Sequence, residues 1–503
     1  MPAEQNGGQR SRSHPTRSSQ HVRSLWANTL RLLLGSGSAQ VLRALLAPLI
    51  ARLFSPLALG IAQTYSAIGK TAAVVATLRY EDAVQLPEDE QDALRQMVIA
   101  ILFTIFNSFL ALAAVLLFRS PIANVLNAQE LAGLLFTIPL FILLRGTFLA
   151  LREWHMRQTH YRRVASASAI EGALWDLGAA GMGLAGITNP AALTTAQIAG
   201  QGAATVLLAF PILRKKPGLR FTRHDLVAGL RAYRKFPLFN IWSKLLDNAA
   251  LYLPVLLFSA FFSPAVAGQF TLGFNLLQLP FAMIANTAGQ VLYQQAPLAL
   301  RKRILGEHIL SLVAVGLKLA IPPVMLFALA GREIVTTLFG NNWLQAGTFV
   351  QVLSPWMLFL LLSLMIERIP AVMEKNENIL IFQAVNTLTR LVALIMGNAY
   401  QDPFLAVVLL GLGGSLVYGA NIIWVLSIAH VRTRQLGRVC LRAFIPALPL
   451  GLALVLLRIG LPRASIYHPL LLIAASGAVC VCYYAYLLLR DPQIREMFTS
   501  LHG

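Results

Sequence analysis

Charge is scarce in this chain. Only 12% of its 503 residues are Asp, Glu, Lys or Arg, against about 25% in a soluble globular protein. The apolar remainder needs lipid around it, so the chain is an all-α polytopic membrane protein rather than a water-soluble body. Cysteine is scarcer still. Cys440, Cys480 and Cys482 have no metal-ligand spacing and imply no disulfide framework. The nine histidines are scattered, and His155 and His160, five apart, form no zinc pattern. Gly69-Lys70-Thr71 looks like the end of a phosphate-binding loop, but Thr64 stands where its first glycine should be, and the triplet lies mid-helix. No nucleotide, cofactor or metal is therefore expected. The net charge of +20 would suggest nucleic acid in a soluble chain. In a membrane chain the place of each positive residue matters more than the sum, and no nucleic-acid partner is expected. A signal peptide is not expected either: the first apolar run starts late, exceeds a typical h-region and lacks a clear cleavage site.

What the chain has is apolar runs. Fourteen of them approach the twenty residues needed to cross a bilayer core of about 30 Å: 29–53, 60–78, 97–117, 132–151, 164–185, 192–213, 237–261, 267–289, 309–330, 349–367, 379–397, 404–427, 441–459 and 468–489. If these alternate across the membrane, 29 of the 41 Lys and Arg fall on the side of the N-terminal tail. Only Arg119, Arg332 and Arg463 fall on the other, and nine lie within or at the edges of spans. That asymmetry places both termini in the cytoplasm. Residues 1–25 read as a disordered basic tail. Residues 26–235 form a six-span half with a basic linker, 236–427 a second six-span half, and 428–503 an extra helix pair with a short tail.

The halves share a phrase. Phe54-Ser55-Pro56-Leu57-Ala58-Leu59-Gly60 and Phe262-Ser263-Pro264-Ala265-Val266-Ala267-Gly268 stand 208 residues apart, each between two apolar runs. Each reads as a tight turn in which Pro ends one helix and starts the next. An even number of spans per half keeps both copies in one orientation, a parallel repeat about the membrane normal.

Several charges are embedded. Arg31, Arg52, Arg145 and Arg458 lie towards span ends, where they reach the interface. Arg43, Lys70, Lys318 and Arg390 are deeper, Lys244 is intermediate, and Glu171, Asp176 and Asp247 are embedded acids. A central charge costs roughly 2.5–3.5 kcal/mol on insertion scales, so these should face a polar cavity or each other. Helical spacing agrees: Ser36, Gln40 and Arg43; Gln63, Ser66 and Lys70; Asn240, Lys244 and Asp247; and Thr271, Asn275 and Gln278 each form one stripe. Lys244 and Asp247, three apart, either neutralise one another or serve the cavity. Arg43 and Lys70 have no acid beside them in sequence and suit an anionic ligand, a phosphate or diphosphate above all. The expected substrate contacts are Arg43, Lys70, Lys244, Lys318 and Arg390 with Gln40, Gln63, Asn275 and Gln278. Asp176, Asp247 and Glu171 are candidates for ion coupling.

Leu53 to Gly60, the segment from Leu78-Arg79-Tyr80-Glu81-Asp82 to Pro87, Tyr233-Arg234-Lys235-Phe236-Pro237-Leu238, and Gly340-Asn341-Asn342-Trp343-Leu344-Gln345-Ala346-Gly347 together resemble the polysaccharide biosynthesis flippases. These are O-antigen and exopolysaccharide repeat-unit exporters of the multidrug/oligosaccharidyl-lipid/polysaccharide superfamily. The resemblance runs from about residue 28 to 489. It implies a transporter of the bacterial inner membrane that moves undecaprenyl-diphosphate-linked oligosaccharide between leaflets by alternating access. Its implied partners are membrane lipids and other polysaccharide-assembly proteins. A drug or cation antiporter of the same superfamily is the first alternative, and abundant cavity acids would favour it. A membrane-embedded polymerase or ligase is the second; it would be expected to carry a large outward loop, whereas the longest, about 331–348 and 118–131, are short.

Overall fold

The computed structural model describes residues 42–215, 222–301, 304–460 and 468–490, and among these no strand occurs. Seven helices make the first bundle: α1 (42–53), α2 (Pro56–Ala76), α3 (Glu90–Val125), α4 (Leu131–Leu134), α5 (Ile138–Arg157), α6 (Tyr161–Leu184) and α7 (Pro190–Lys215). A short helix, α8 (Arg223–Ala232), lies in the basic linker. The second bundle follows as α9 (Ile241–Phe261), α10 (Pro264–Arg301), α11 (Leu305–Phe339), α12 (Leu344–Ile366), α13 (Ile369–Val372), α14 (Asn376–Ala399) and α15 (Pro403–Ile428). The chain continues through α16 (Thr433–Phe444), α17 (Leu448–Gly460) and α18 (His468–Arg490), all three packed on α11. Within the first bundle α6 lies on α7 and α3 on α5; within the second α14 lies on α15 and α10 on α12. The bundles meet where α2 packs on α9 and α10.

Ten of these helices are long and apolar enough to cross a membrane. The expectation from sequence was fourteen. The helices α2, α6 and α10, with 21, 24 and 38 residues, have the length but not the apolarity. The reason is physical: polar residues interrupt them, Gln63, Ser66 and Lys70 on α2, Glu171 and Asp176 on α6, and Thr271, Asn275 and Gln278 on α10. Of the first expected span only 42–53 is described; residues 29–41, the basic tail and Gln40 lie outside the described residues.

Local chemistry starts the helices at one end of the molecule. Ser55 and Ser263 each precede a proline, and each hydroxyl accepts a hydrogen bond from a backbone amide three residues on, at 3.1 and 3.3 Å. Asn189-Pro190 and Asp402-Pro403 do the same for α7 and α15: Asn189 accepts from Ala192 N–H at 3.0 Å, and Asp402 from Phe404 N–H at 2.8 Å. A polar cap followed by proline suits a helix start, because proline's missing N–H would be unpaired there anyway. The four starts fall in equivalent places of the two bundles.

At this end the bundles are pinned together. A Cβ on Gly60 would lie 1.7 Å from the Pro264 carbonyl oxygen, and one on Gly268 would lie 2.2 Å from that of Pro56. Only glycine permits such backbone contact. Thus the repeated phrase touches its own copy. Around it, the Trp343 indole donates to the Ala51 carbonyl at 2.7 Å, and Arg52 reaches the carbonyls of Leu338 and Thr337 at 2.9 and 2.5 Å. Ser259 donates to Leu126 O and Asn127 to Ala260 O, at 2.7 and 2.8 Å. Gly340, with φ +100°, ends α11 in a conformation that disfavours side chains and turns the chain toward buried Trp343.

Candidate functional site

Between the bundles, on the far side of that seal, lies a cavity of about 1130 Å³. Its wall is built from α1, α2, α5, α6 and α7 on one side and from α9, α10, α11, α12, α14 and α15 on the other. Seven basic side chains line it: Arg43, Lys70, Arg79, Arg145, Arg152, Lys244 and Arg390. Among the described residues only two acids do, Glu171 and Asp176.

Of the residues picked out by sequence, Arg43, Gln63, Lys70, Lys244, Asn275, Gln278, Arg390, Glu171 and Asp176 all reach this one cavity. Asp247 is not part of its lining; its carboxylate meets the Lys244 ammonium at 3.3 Å along α9. Both ends of that pair are about half exposed, so it adds little to stability. Lys318, on α11, is also outside the lining.

One expectation needs correcting. Arg43 does have an acid beside it, 133 residues away in sequence. Its Nε donates to Asp176 Oδ2 at 3.4 Å, its guanidinium lies 5.2 Å over the Trp175 ring, and the Asp176 side chain is 3% exposed. A second correction concerns Arg145, read from sequence as an interfacial residue at a span end. Helix α5 runs on to Arg157 rather than stopping near 151, so Arg145 stands well inside it. Its Nη1 donates to both Glu171 oxygens at 3.1 and 3.2 Å and to Gln201 Oε1 at 3.1 Å.

Arg390 is also held. It donates to the Ala250 carbonyl and, at 3.4 Å, to the Tyr418 hydroxyl, and it stacks 5.6 Å over Trp356. That leaves Lys70. Its ammonium lies 5.8 Å over the Tyr252 ring, and no carboxylate pairs with it among the described residues. A cation held against an aromatic face and walled by Arg43 and Arg145 is a site for an anion.

Arg79 and Arg152, which belong to the basic side of the sequence, also line the cavity at the end away from the seal. Leu78 and Arg79 have φ of +49° and +63°, a conformation that L residues rarely adopt. The turn they make is fixed from all sides. Arg79 pairs with Glu81 at 2.8 Å and with Asp82. Tyr80 stacks on Phe103 and donates to Leu230 O of α8 at 3.2 Å. Burial of Glu81, which is 1% exposed, pushes its carboxyl above the usual range, with Arg79 pulling the other way; Asp82 shifts upward for the same reason. At the start of α8, hydrogen bonds from the Thr222 amide and hydroxyl hold the Asp225 carboxyl below its usual range.

Residues 49–348 match the family described as polysaccharide biosynthesis protein. The chain belongs to that family. No curated protein matches it by sequence. Among solved structures, the lipid II flippase MurJ in an inward closed conformation is similar, with a TM-score of 0.69 and 13% identity, covering 91% of this chain and 99% of that one. An inward-facing multidrug resistance MATE family transporter of the MOP superfamily is similar over 78% of this chain and 95% of that one, with a TM-score of 0.62 and 13% identity. At such identity the likeness is one of fold. This polysaccharide biosynthesis protein shares the helical architecture of MurJ and the MATE transporter.

Proposed function

We propose that this polysaccharide biosynthesis protein is a flippase. It carries an undecaprenyl-diphosphate-linked oligosaccharide from the cytoplasmic to the periplasmic leaflet of a bacterial inner membrane, for O-antigen, exopolysaccharide or other surface polysaccharide assembly. The observation that carries this reading is Lys70: an ammonium that, among the described residues, has no carboxylate partner, in a cavity that they line with seven cations and two acids. A half-buried cation without a counter-ion is incompletely solvated, and a diphosphate would supply the missing charge. The fold supports alternating access, since the contacts between bundles cluster at one end of the cavity and would have to part for it to open there. Moving a lipid-linked sugar between leaflets breaks no covalent bond, so cations and polar groups suffice. The distribution of basic residues, 29 against 3, supports cytoplasmic termini, which puts the seal on the periplasmic side.

A drug antiporter is the competing reading on the same fold. An excess of cavity cations disfavours it, because it would repel cationic drugs. The test is reconstitution in liposomes with a panel of lipid-linked sugars, leaflet transfer being followed with and without an ion gradient. Transfer of prenyl-diphosphate-linked sugars is expected. Transport of cationic drugs with no movement of any lipid-linked sugar would reverse the assignment.

A further inference from the structure

Both acids in the cavity lining sit on α6, and each is joined to one arginine of another helix. Asp176 faces Arg43 of α1, and Glu171 faces Arg145 of α5. Lys70 of α2 stands near enough to feel Glu171, Arg145 and Arg43 together. Helix α7 adds amides: Gln201, which accepts from Arg145, and Gln197, which accepts from the Ser66 hydroxyl at 2.6 Å. The Arg43 Nη2 lies 3.2 Å from where a Cβ on Gly172 would stand, directly beside Glu171 in sequence. The two guanidiniums and the ammonium thus converge on one face of α6.

The bonds are uneven in a telling way. Arg145 spends a single nitrogen, Nη1, on three acceptors, and no hydrogen bond engages its Nε or Nη2 among the described residues. Arg43 keeps 43% of its side chain exposed while its partner Asp176 keeps 3%. Arg43 is free to turn to something else and Asp176 is not, whereas Arg145 and Glu171 are exposed to a similar degree, 25% and 30%.

We propose that Glu171 and Asp176 stand in for substrate phosphates. Each holds one guanidinium in place and yields it when an anionic headgroup arrives, and the buried Asp176 takes up a proton as it does. This rests on the reading of the cavity as a diphosphate site. The driving step is electrostatic. Once Arg43 turns to a phosphate, Asp176 is a buried carboxylate without a counter-ion, which the interior does not tolerate in charged form. A proton taken up from the buffered solution, through the open cavity, converts it to the neutral acid, while the guanidinium keeps its own proton and its charge. Glu171 yields Arg145 in the same way, but its side chain is 30% exposed to the cavity, so the proton uptake is assigned to Asp176. Substrate loading and proton uptake become one event, and substrate release on the far side returns the proton. Gln201, which shares Arg145 Nη1 with Glu171, has a buried Nε2 without a hydrogen-bond partner among the described residues.

The experiment uses the purified full-length protein in detergent with farnesyl diphosphate as probe. Calorimetry in two buffers of different ionisation enthalpy reads net proton uptake on binding, and titrations from pH 6 to 8 read the affinity. Wild type should take up a proton at Asp176, with Kd rising toward tenfold per pH unit. The double variant Glu171→Gln, Asp176→Asn should bind at least as tightly and with smaller uptake; the probe's own ionisation cancels in that difference. Infrared difference spectra of wild type should gain a protonated-carboxyl band on binding, which needs no variant. Equal uptake in the two proteins, a tenfold weaker double variant, or no new band would overturn the exchange. Failure of wild type and double variant alike to bind the probe would instead remove the diphosphate reading itself, and the exchange with it.

Discussion

Replacing Gly60 by alanine should prop the seal open. The added Cβ would sit 1.7 Å from the Pro264 carbonyl oxygen, so α2 and α10 must separate by about 1.5–2 Å to restore ordinary contact. No rotamer change relieves this, because the obstacle is backbone. Overpacking of this kind costs about 1–3 kcal/mol. The strain exists only while the bundles touch, so it favours the parted state by roughly 5- to 150-fold. Gln63, one turn further along α2 and in the cavity wall, is the place to read the change. A Gln63→Cys reporter in a background with Cys440, Cys480 and Cys482 replaced by serine would be exposed to a membrane-impermeant maleimide from each side in turn. Labelling from the side of the Pro56 turn should quicken by that factor when Gly60→Ala is added. Gly268→Ala should act alike, its Cβ meeting Pro56 at 2.2 Å. If well-expressed variants label at the wild-type rate from both sides, the two glycines are not a seal.

Reporter fusions after residues 60, 188 and 400 should read periplasmic and those after 225 and 435 cytoplasmic; reversal at any two would break the proposed orientation. Arg43→Lys should lower transport less than Arg43→Ala, since charge survives while the planar fork is lost; equal effects at equal membrane levels would remove Arg43 from the anion site. Glu81 bears on pH. Its carboxyl is raised by burial, so the folded state holds its proton more tightly than the unfolded state, and stability falls as pH rises from about 4.5 toward the folded value. In detergent, Glu81→Gln should therefore lessen the fall in Tm between pH 5 and 7.5; an unchanged slope would show that Glu81 does not contribute to it.

Much of the plan is legible in sequence because it is local chemistry. The Ser-Pro helix starts at 55 and 263 are written in adjacent residues, and so is the repeat that they mark. The polar stripes on α2 and α10 show at a spacing of three and four because a helix turns every 3.6 residues. What joins one helix to another is not written in this way. Arg43 and Asp176 are 133 residues apart and Arg145 and Glu171 are 26 apart, so each cation looked different alone than it does in the cavity. Arg145 was misplaced by an apolar run that ends before the helix does: α5 continues through Arg152 and Glu153 to Arg157. Arg79 gave a charge signal for orientation that hid its second place, because a loop residue at the cavity mouth satisfies both. The glycine contact of Gly60 with Pro264 was also out of reach, since a glycine after a turn says nothing about what it will touch.

The central claim is that the cavity's cations hold a diphosphate while its sugar crosses the membrane, and Lys70 is where the claim is most exposed. Proteoliposomes carrying wild type, Lys70→Arg or Lys70→Ala would be loaded with one fluorescent sugar on a prenyl diphosphate, and transfer between leaflets followed by quenching from outside. A lost charge-assisted contact is worth about 1.5–3 kcal/mol, so Lys70→Ala should slow transfer about tenfold or more. Lys70→Arg should retain most of it, because the position supplies charge rather than a fixed fork. Wild-type transfer by correctly inserted Lys70→Ala would contradict the account.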